Sequence, residues 1–252
     1  ELLQRHGLAG PILRGGLRVG QCEWRADGQA FLLDYAKLCG GRGHYIYPQH
    51  DLVADWAGDL LARGGDVRFG VTVTGIEQAG DGALVRATAG PDGAPVTIEC
   101  LAVVVCDGAG SRPPVERGEF TERDILDLRV RLCDPMQHGR LYLAGDAAHL
   151  ITPAGGKGMN IAIQDAAELA GGLIERYGGR GDGGRLDRYS QTRLPHIWRH
   201  QEFSNLMLSL FNAGPDGGSG FSYGLRRARL GLVLSDPQFS RWFAHTYVGV
   251  DE

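Results

Sequence analysis

Residues 145–166 read GDAAHLITPAGGKGMNIAIQDA and place an acid, a histidine and a glycine-rich loop between an apolar run and a helical pattern. Glycine at 145 lets the backbone come close to a ligand lying across the end of a strand, because it has no side chain to hold it off. Asp146 then offers two acceptor oxygens, which suit the hydroxyls of a ribose or ribityl chain. The loop PAGGKG, residues 153–158, exposes successive backbone N–H groups, and a helix starting near Met159 and Asn160 aims its positive end at the same place. Negative charge is stabilised there. A phosphate fits, and so does the N1/C2 carbonyl edge of a flavin, which becomes anionic on reduction. Plainer uses exist for the same residues. Asp146 is also suited to capping the following turn, His149 to packing the loop, and Lys157 to solvating it. His196 and His200 have the i, i+4 spacing of a zinc pair, but no third ligand or nearby general-base carboxylate completes a site, so no metal is expected.

Positioning these groups requires strands that end at the loop and a helix that leaves it. RLYLAGDAAH reads as a buried strand, and after the loop Ala162, Ala166, Leu169 and Leu173 recur at helical spacing as far as Tyr177, with Gly178 as the stop. LAVVVCDG is apolar without alternation, as expected of a strand covered on both faces, which would make Cys106 an inert core thiol. DVRFGVTVTGIEQAG alternates with Val67, Phe69, Val71 and Val73 on one side, and GALVRATAGPDGAPVTIEC reads as two strands around a glycine-proline turn. DLVADWAGDLLARGG carries Leu52, Trp56, Leu60 and Leu61 at helical spacing, and the tail from LDRYSQTRLPH onward is mainly helical. Strands feeding a glycine loop and then a helix predict an α/β sheet with its ligand at the carboxyl ends of the strands.

The 252 residues, 43% of them hydrophobic, suffice for a substantial core. A net charge of −4 and a short basic patch at Arg226, Arg227 and Arg229 argue against nucleic acid as a partner. Five scattered cysteines without C-x-x-C spacing fit reduced thiols and a cytoplasmic location, and no apolar stretch is long enough to cross a bilayer.

Residues 135–169, PMQHGRLYLAGDAAHLITPAGGKGMNIAIQDAAEL, resemble the second flavin-binding motif of the single-component FAD-dependent aromatic hydroxylases. Three further segments resemble the same family in the same order: YPQHDLVADWAGDL (47–60), VVVCDGAGSR (103–112) and HTYVGV (245–250). Four collinear matches over most of the chain make the resemblance specific. It implies that Asp146 accepts a hydrogen bond from the ribityl chain of FAD, with Gly145 at the strand end. Met159 and Asn160 would offer their N–H groups to the pyrimidine edge, Gly158 would belong to the same cofactor site, and Gln49 would touch the cofactor unless it only caps its own helix. Asp107 and Gly108 belong to the motif associated with FAD and NADPH. Pro153 would lie between flavin and substrate. Tyr247 resembles the tyrosine that relays the phenolic proton of the substrate, its alternative being an ordinary aromatic in the C-terminal packing.

The implied fold is α/β, a FAD-binding sheet of the glutathione-reductase-like, Rossmann type, lacking its first dinucleotide-binding unit and followed by a mainly helical C-terminal region. The family opens with G-x-G-x-x-G, which does not occur here, and carries a domain-sized block where this chain runs RPPVERGEFTERDILDLR. The chain is therefore expected to be a front-truncated relative, shortened near 113–128, with a partial FAD-binding domain over 1–178 and a helical region over 179–252. The implied activity is FAD- and NAD(P)H-dependent hydroxylation of a phenolic acid with oxygen, with a homodimer allowed but not required. A non-catalytic fragment or weak nucleotide-binding module of the same family is the alternative.

Overall fold

The computed structural model describes residues 1–26, 29–108, 130–179, 181, 183–211 and 220–249; the stretch 113–128, where shortening is expected, lies outside them, as do residues 109–112 and 250 of two motif segments. Two units are formed, Glu1–Phe69 with Ser209–Glu252, and Gly70–Leu208; the expected 178/179 boundary falls inside the second.

The first unit contains α1 (Leu2–Arg5), α2 (Gly10–Gly15), β1 (Leu17–Val19), β2 (Gln21–Ala26), β3 (Gln29–Asp34), α3 (Tyr35–Leu38), β4 (His44–Ile46) and α4 (Gln49–Ala62). The antiparallel pair β2–β3 sets Cys22 opposite Leu33 and Trp24 opposite Phe31. Asp34 ends β3 and caps α3, its Oδ1 accepting the Lys37 N–H at 2.9 Å, which together with the Gln21 amide holds its carboxyl below the usual range. Of the stripe expected on α4, Leu52 is buried and the Trp56 indole donates to the Leu8 carbonyl at 3.0 Å. Leu60 and Leu61 instead stand 49% and 47% exposed.

In the second unit β5 (Val71–Ala79), β6 (Gly82–Ala89) and β7 (Ala94–Cys100) form an antiparallel meander. The strand expected from Val67 begins only at Val71: Gly70 turns the chain with φ 67°, and Phe69 is 77% exposed. Next come β8 (Val103–Val105), β9 (Arg131–Leu132), β10 (Gln137–His138), β11 (Leu141–Leu143) and β12 (His149–Leu150). Among the described residues β8 and β11 are the only parallel pair, in a sheet ordered β10-β11-β8. The β8 run is not covered on both faces, since Leu101 and Val104 are 56% and 36% exposed. Three valines satisfy β-propensity whichever face is covered, so the run could not reveal this.

Helix α5 (Gly158–Tyr177) leaves the glycine loop and ends at Gly178, as its spacing predicts. Its buried stripe is Ile161, Asp165, Leu169 and Gly172, one residue round from the expected Ala162 and Ala166. Full burial of Ile161 and Leu169 contributes about 1.5–3 kcal/mol each. They pack with Met136, Tyr142, Ala144, Tyr189 and Ile197 in the core of this unit. The remaining helices are α6 (Gly184–Asp187), α7 (Tyr189–Phe211), α8 (Gly220–Ser235) and α9 (Pro237–Val248), so the tail is helical as read. Among the described residues no helix is long and apolar enough to cross a membrane.

Candidate functional site

Strand pairing brings two of the expected motifs together. Leu143 lies opposite Val105 in the parallel pair, and the Ala144 N–H donates to the Val105 carbonyl at 3.0 Å. Cys106, Asp107 and Gly108 therefore leave β8 beside Gly145 and Asp146 leaving β11, both at the carboxyl ends of their strands. Gly145 starts a single 3-10 turn, Gly145–Ala147, with φ 60°. A Cβ there would sit 3.1 Å from the Ala162 methyl of α5, so glycine is required both by the left-handed backbone and by the close helix.

The turn leaves Asp146 exposed, and its carboxylate makes no hydrogen bond among the described residues. No side chain caps the start of α5, and the N–H groups of Gly158, Met159 and Asn160 have no partner among the described residues. The first bond of the helix is Ile161 N–H to the Lys157 carbonyl at 3.0 Å. The Asn160 side chain folds back to donate to the Gly156 carbonyl at 3.3 Å. An unpaired carboxylate and a bare helix start flank the loop on its two sides.

The loop is fixed by α7. Gly155 abuts Phe203 and Met207, and the Thr152 N–H donates to Gln201 Oε1 at 3.4 Å. Lys157 does not solvate the loop as its type suggests. It is buried, with Nζ 5.8 Å from the Phe203 ring centre. Pro153 is exposed at the start of the loop.

Below the turn lies a charge network that the sequence did not announce. The carboxylate of Asp165, fully buried, accepts three donors: Gly145 N–H at 3.1 Å and His149 Nε2 at 2.5 Å on Oδ2, and Arg193 Nε at 2.7 Å on Oδ1. Arg193 also reaches Gln164 Oε1 at 3.1 Å. His149 Nδ1 is buried without a partner among the described residues, which favours the tautomer carrying its proton on Nε2, toward Asp165. Tyr189, whose hydroxyl donates to the Leu143 carbonyl at 2.9 Å, has its phenol pushed up by burial and by the Asp165 charge, so it stays a donor. The one signal for this network was the histidine; Asp165 lies 16 residues after it, and Arg193 a further 28 residues along the chain.

Gln49 and Tyr247 belong to the first unit. Gln49 is exposed as the first residue of α4, where Pro48 rather than Gln49 holds the cap position. Tyr247 stacks on Tyr35 (ring centres 4.9 Å, 24°) and on Phe243 (6.3 Å, 5°), with His44 edge-on at 5.4 Å. Burial pushes its phenol up. This surrounding is that of a packed aromatic. Among the described residues no cluster of His, Cys, Asp or Glu has metal-binding geometry.

Cys106 is exposed rather than a core thiol, because β8 ends before it. Partial covering of its side chain, then the Asp165 and Asp107 charges, push the thiol up from its ordinary range. A thiol reagent is expected to label Cys106 in the folded chain more slowly than a small free thiol at pH 7, with a rate still climbing above about pH 8.5. Peptide mapping by mass spectrometry after timed labelling reads this directly; a rate that levels off below that pH contradicts it.

The model of the FAD binding domain family matches residues 1–116 and 112–204. The p-hydroxybenzoate hydroxylase of Acinetobacter baylyi is 36% identical over 133 residues, which are 53% of this chain and 32% of that protein. A flavin-dependent monooxygenase of Mycobacteroides abscessus is 29% identical over 203 residues, 77% of this chain and 41% of its own length. The chain thus spans between about a third and two fifths of these curated relatives. Among solved structures, the anhydrotetracycline hydroxylase of Streptomyces rimosus superposes with a TM-score of 0.81 at 22% identity, covering 100% of this chain and 66% of that one. With the family model matching most of its residues and its relatives named as flavin-dependent monooxygenases and hydroxylases, the chain belongs to the FAD binding domain family of flavoprotein monooxygenases.

Proposed function

We propose that this chain supplies the ribityl-side and pyrimidine-side contacts for FAD in an aromatic-ring hydroxylase that uses NADPH and oxygen on a phenolic acid such as 4-hydroxybenzoate. The observation that carries the reading is the exposed, unpaired Asp146 carboxylate on a turn packed against α5, whose first N–H groups are also unpaired. These donors and acceptors fit a polyol chain next to a hydrogen-bond-accepting ring edge that gains negative charge on reduction. FAD, when bound, supplies the redox chemistry between a reduced nicotinamide cofactor and oxygen. The protein's own part is to orient it. Asp146 accepts from hydroxyls, and Gly158, Met159 and Asn160 donate to the ring edge. Asp107 and Gly108 follow the neighbouring strand end. The name of the Acinetobacter baylyi relative supports 4-hydroxybenzoate, while the Streptomyces rimosus hydroxylase shows the same fold with a polycyclic substrate in its name. Pro153, at the start of the loop, is the proposed substrate-side contact of this unit; in the other unit Gln49 is proposed as a cofactor contact and Tyr247 as the proton relay that the resemblance implies.

Asp146→Ala is expected to weaken FAD binding by about 1.5–3 kcal/mol, the scale of a hydrogen bond to a charged group, or roughly 10- to 150-fold in Kd. Titration followed by flavin fluorescence measures it. Equal dissociation constants reject the assignment of Asp146, and no saturable binding by the unaltered chain rejects the cofactor reading in favour of a non-catalytic module.

A further inference from the structure

We infer that Asp165 is the positioning residue of the flavin site, acting through the Gly145–Asp146 turn and resting on the FAD reading above. Its carboxylate joins α5, the turn, β12 and α7. It belongs to α5, takes the N–H of the first residue of the turn at 3.1 Å, takes His149 of β12 at 2.5 Å, and is held from α7 by Arg193 at 2.7 Å. With Oδ1 engaged by the guanidinium, the carboxylate cannot rotate, so Oδ2 is fixed where the Gly145 N–H must meet it. Gly145 is in turn confined by its φ of 60° and by the Ala162 methyl. Asp146 is the next residue in the chain. The direction in which it presents its carboxylate is thus set from beneath by a buried ion pair that touches no ligand. A carboxylate needs such support, since a site loosened by about 1 Å loses most of its advantage.

A double-mutant cycle on FAD affinity tests this in the 252-residue chain. Asp165→Asn keeps the shape but turns half of the acceptor into a donor facing other donors. It is expected to weaken FAD by about tenfold or more, the size of one charge-assisted hydrogen bond. If Asp165 acts through Asp146, the double variant with Asp146→Ala binds about as Asp146→Ala alone. A merely structural role makes the two losses multiply, and that result overturns the inference. Amide hydrogen exchange at Gly145, read by NMR without any flavin, separates this from the cofactor reading. Protection in the unaltered chain that is lost in Asp165→Asn supports the inference even where FAD fails to bind, and unchanged protection overturns it. Where Asp165→Asn does not fold, Arg193→Lys replaces it: the cation stays, the fixed fork is gone, and the same non-multiplying pattern is expected with a smaller loss.

Discussion

Arg193→Met is expected to lower the stability of the unit Gly70–Leu208 by about 3–5 kcal/mol, because it leaves the Asp165 charge buried without its cation. Asp165 is fully buried and Arg193 is 6% exposed, so water cannot take over. The guanidinium makes a short bond to Oδ1 and further contacts to the Gln164 side chain and the Ile161 carbonyl, at 3.1 and 3.4 Å. All three lose their donor at once. His149 and the Gly145 N–H remain on Oδ2, but neither brings the fixed positive charge of arginine. Exposed pairs in the same chain set the contrast: Arg25–Glu23 stands on the surface, where an ion pair contributes about 0–1 kcal/mol, so Arg25→Met should change little. Urea unfolding followed by circular dichroism compares the two variants. A loss below about 1 kcal/mol for Arg193→Met would mean that Arg193 does not carry the Asp165 charge.

Phe243→Ala is expected to cost about 3–5 kcal/mol in the other unit, the range for removing a buried aromatic side chain and leaving a cavity. Phe243 is fully buried on α9, edge-on to Trp24 at 5.4 Å and parallel to Tyr247 at 6.3 Å. Trp24 meets Phe211 in the same way at 5.1 Å, so the ring lies inside an aromatic core rather than at its rim. The helix that carries it is well anchored, with Asp236 accepting the Gln238 and Phe239 N–H groups at 2.9 Å, so the cavity cannot close by unwinding its first turn. Trp242, its neighbour on the same helix, is 46% exposed, and Trp242→Ala should stay within about 1 kcal/mol. Intrinsic fluorescence of Trp24 during urea unfolding reports the difference. Equal midpoints for the two variants would refute the aromatic core. Tyr247 loses one of its stacking partners in Phe243→Ala, so the same variant also tells whether packing holds that phenol in place.

Elements whose cause is local can be read from the residues alone. Helix α5 was legible through its period and its stop at Gly178, the strands β6 and β7 through a glycine-proline turn, and the strand-end turn through Gly145 and Asp146, since these signals need only neighbouring residues. What is buried was decided by segments far apart. The apolar period put Ala162 and Ala166 on the inner face of α5, whereas the inner face carries Asp165, because Arg193 of α7 and His149 of β12 come to meet its charge. A carboxylate without partners would have turned that stripe outward, and no spacing rule contains a partner 28 residues away. Lys157 follows the same logic, buried against Phe203 although its type favours water. Cys106 is the converse, exposed at the end of an apolar run whose covering the sequence could not supply. Period and propensity fix a backbone's local shape, while the free energy of burying a charge or a thiol depends on which distant atoms arrive beside it, and only the tertiary structure states that.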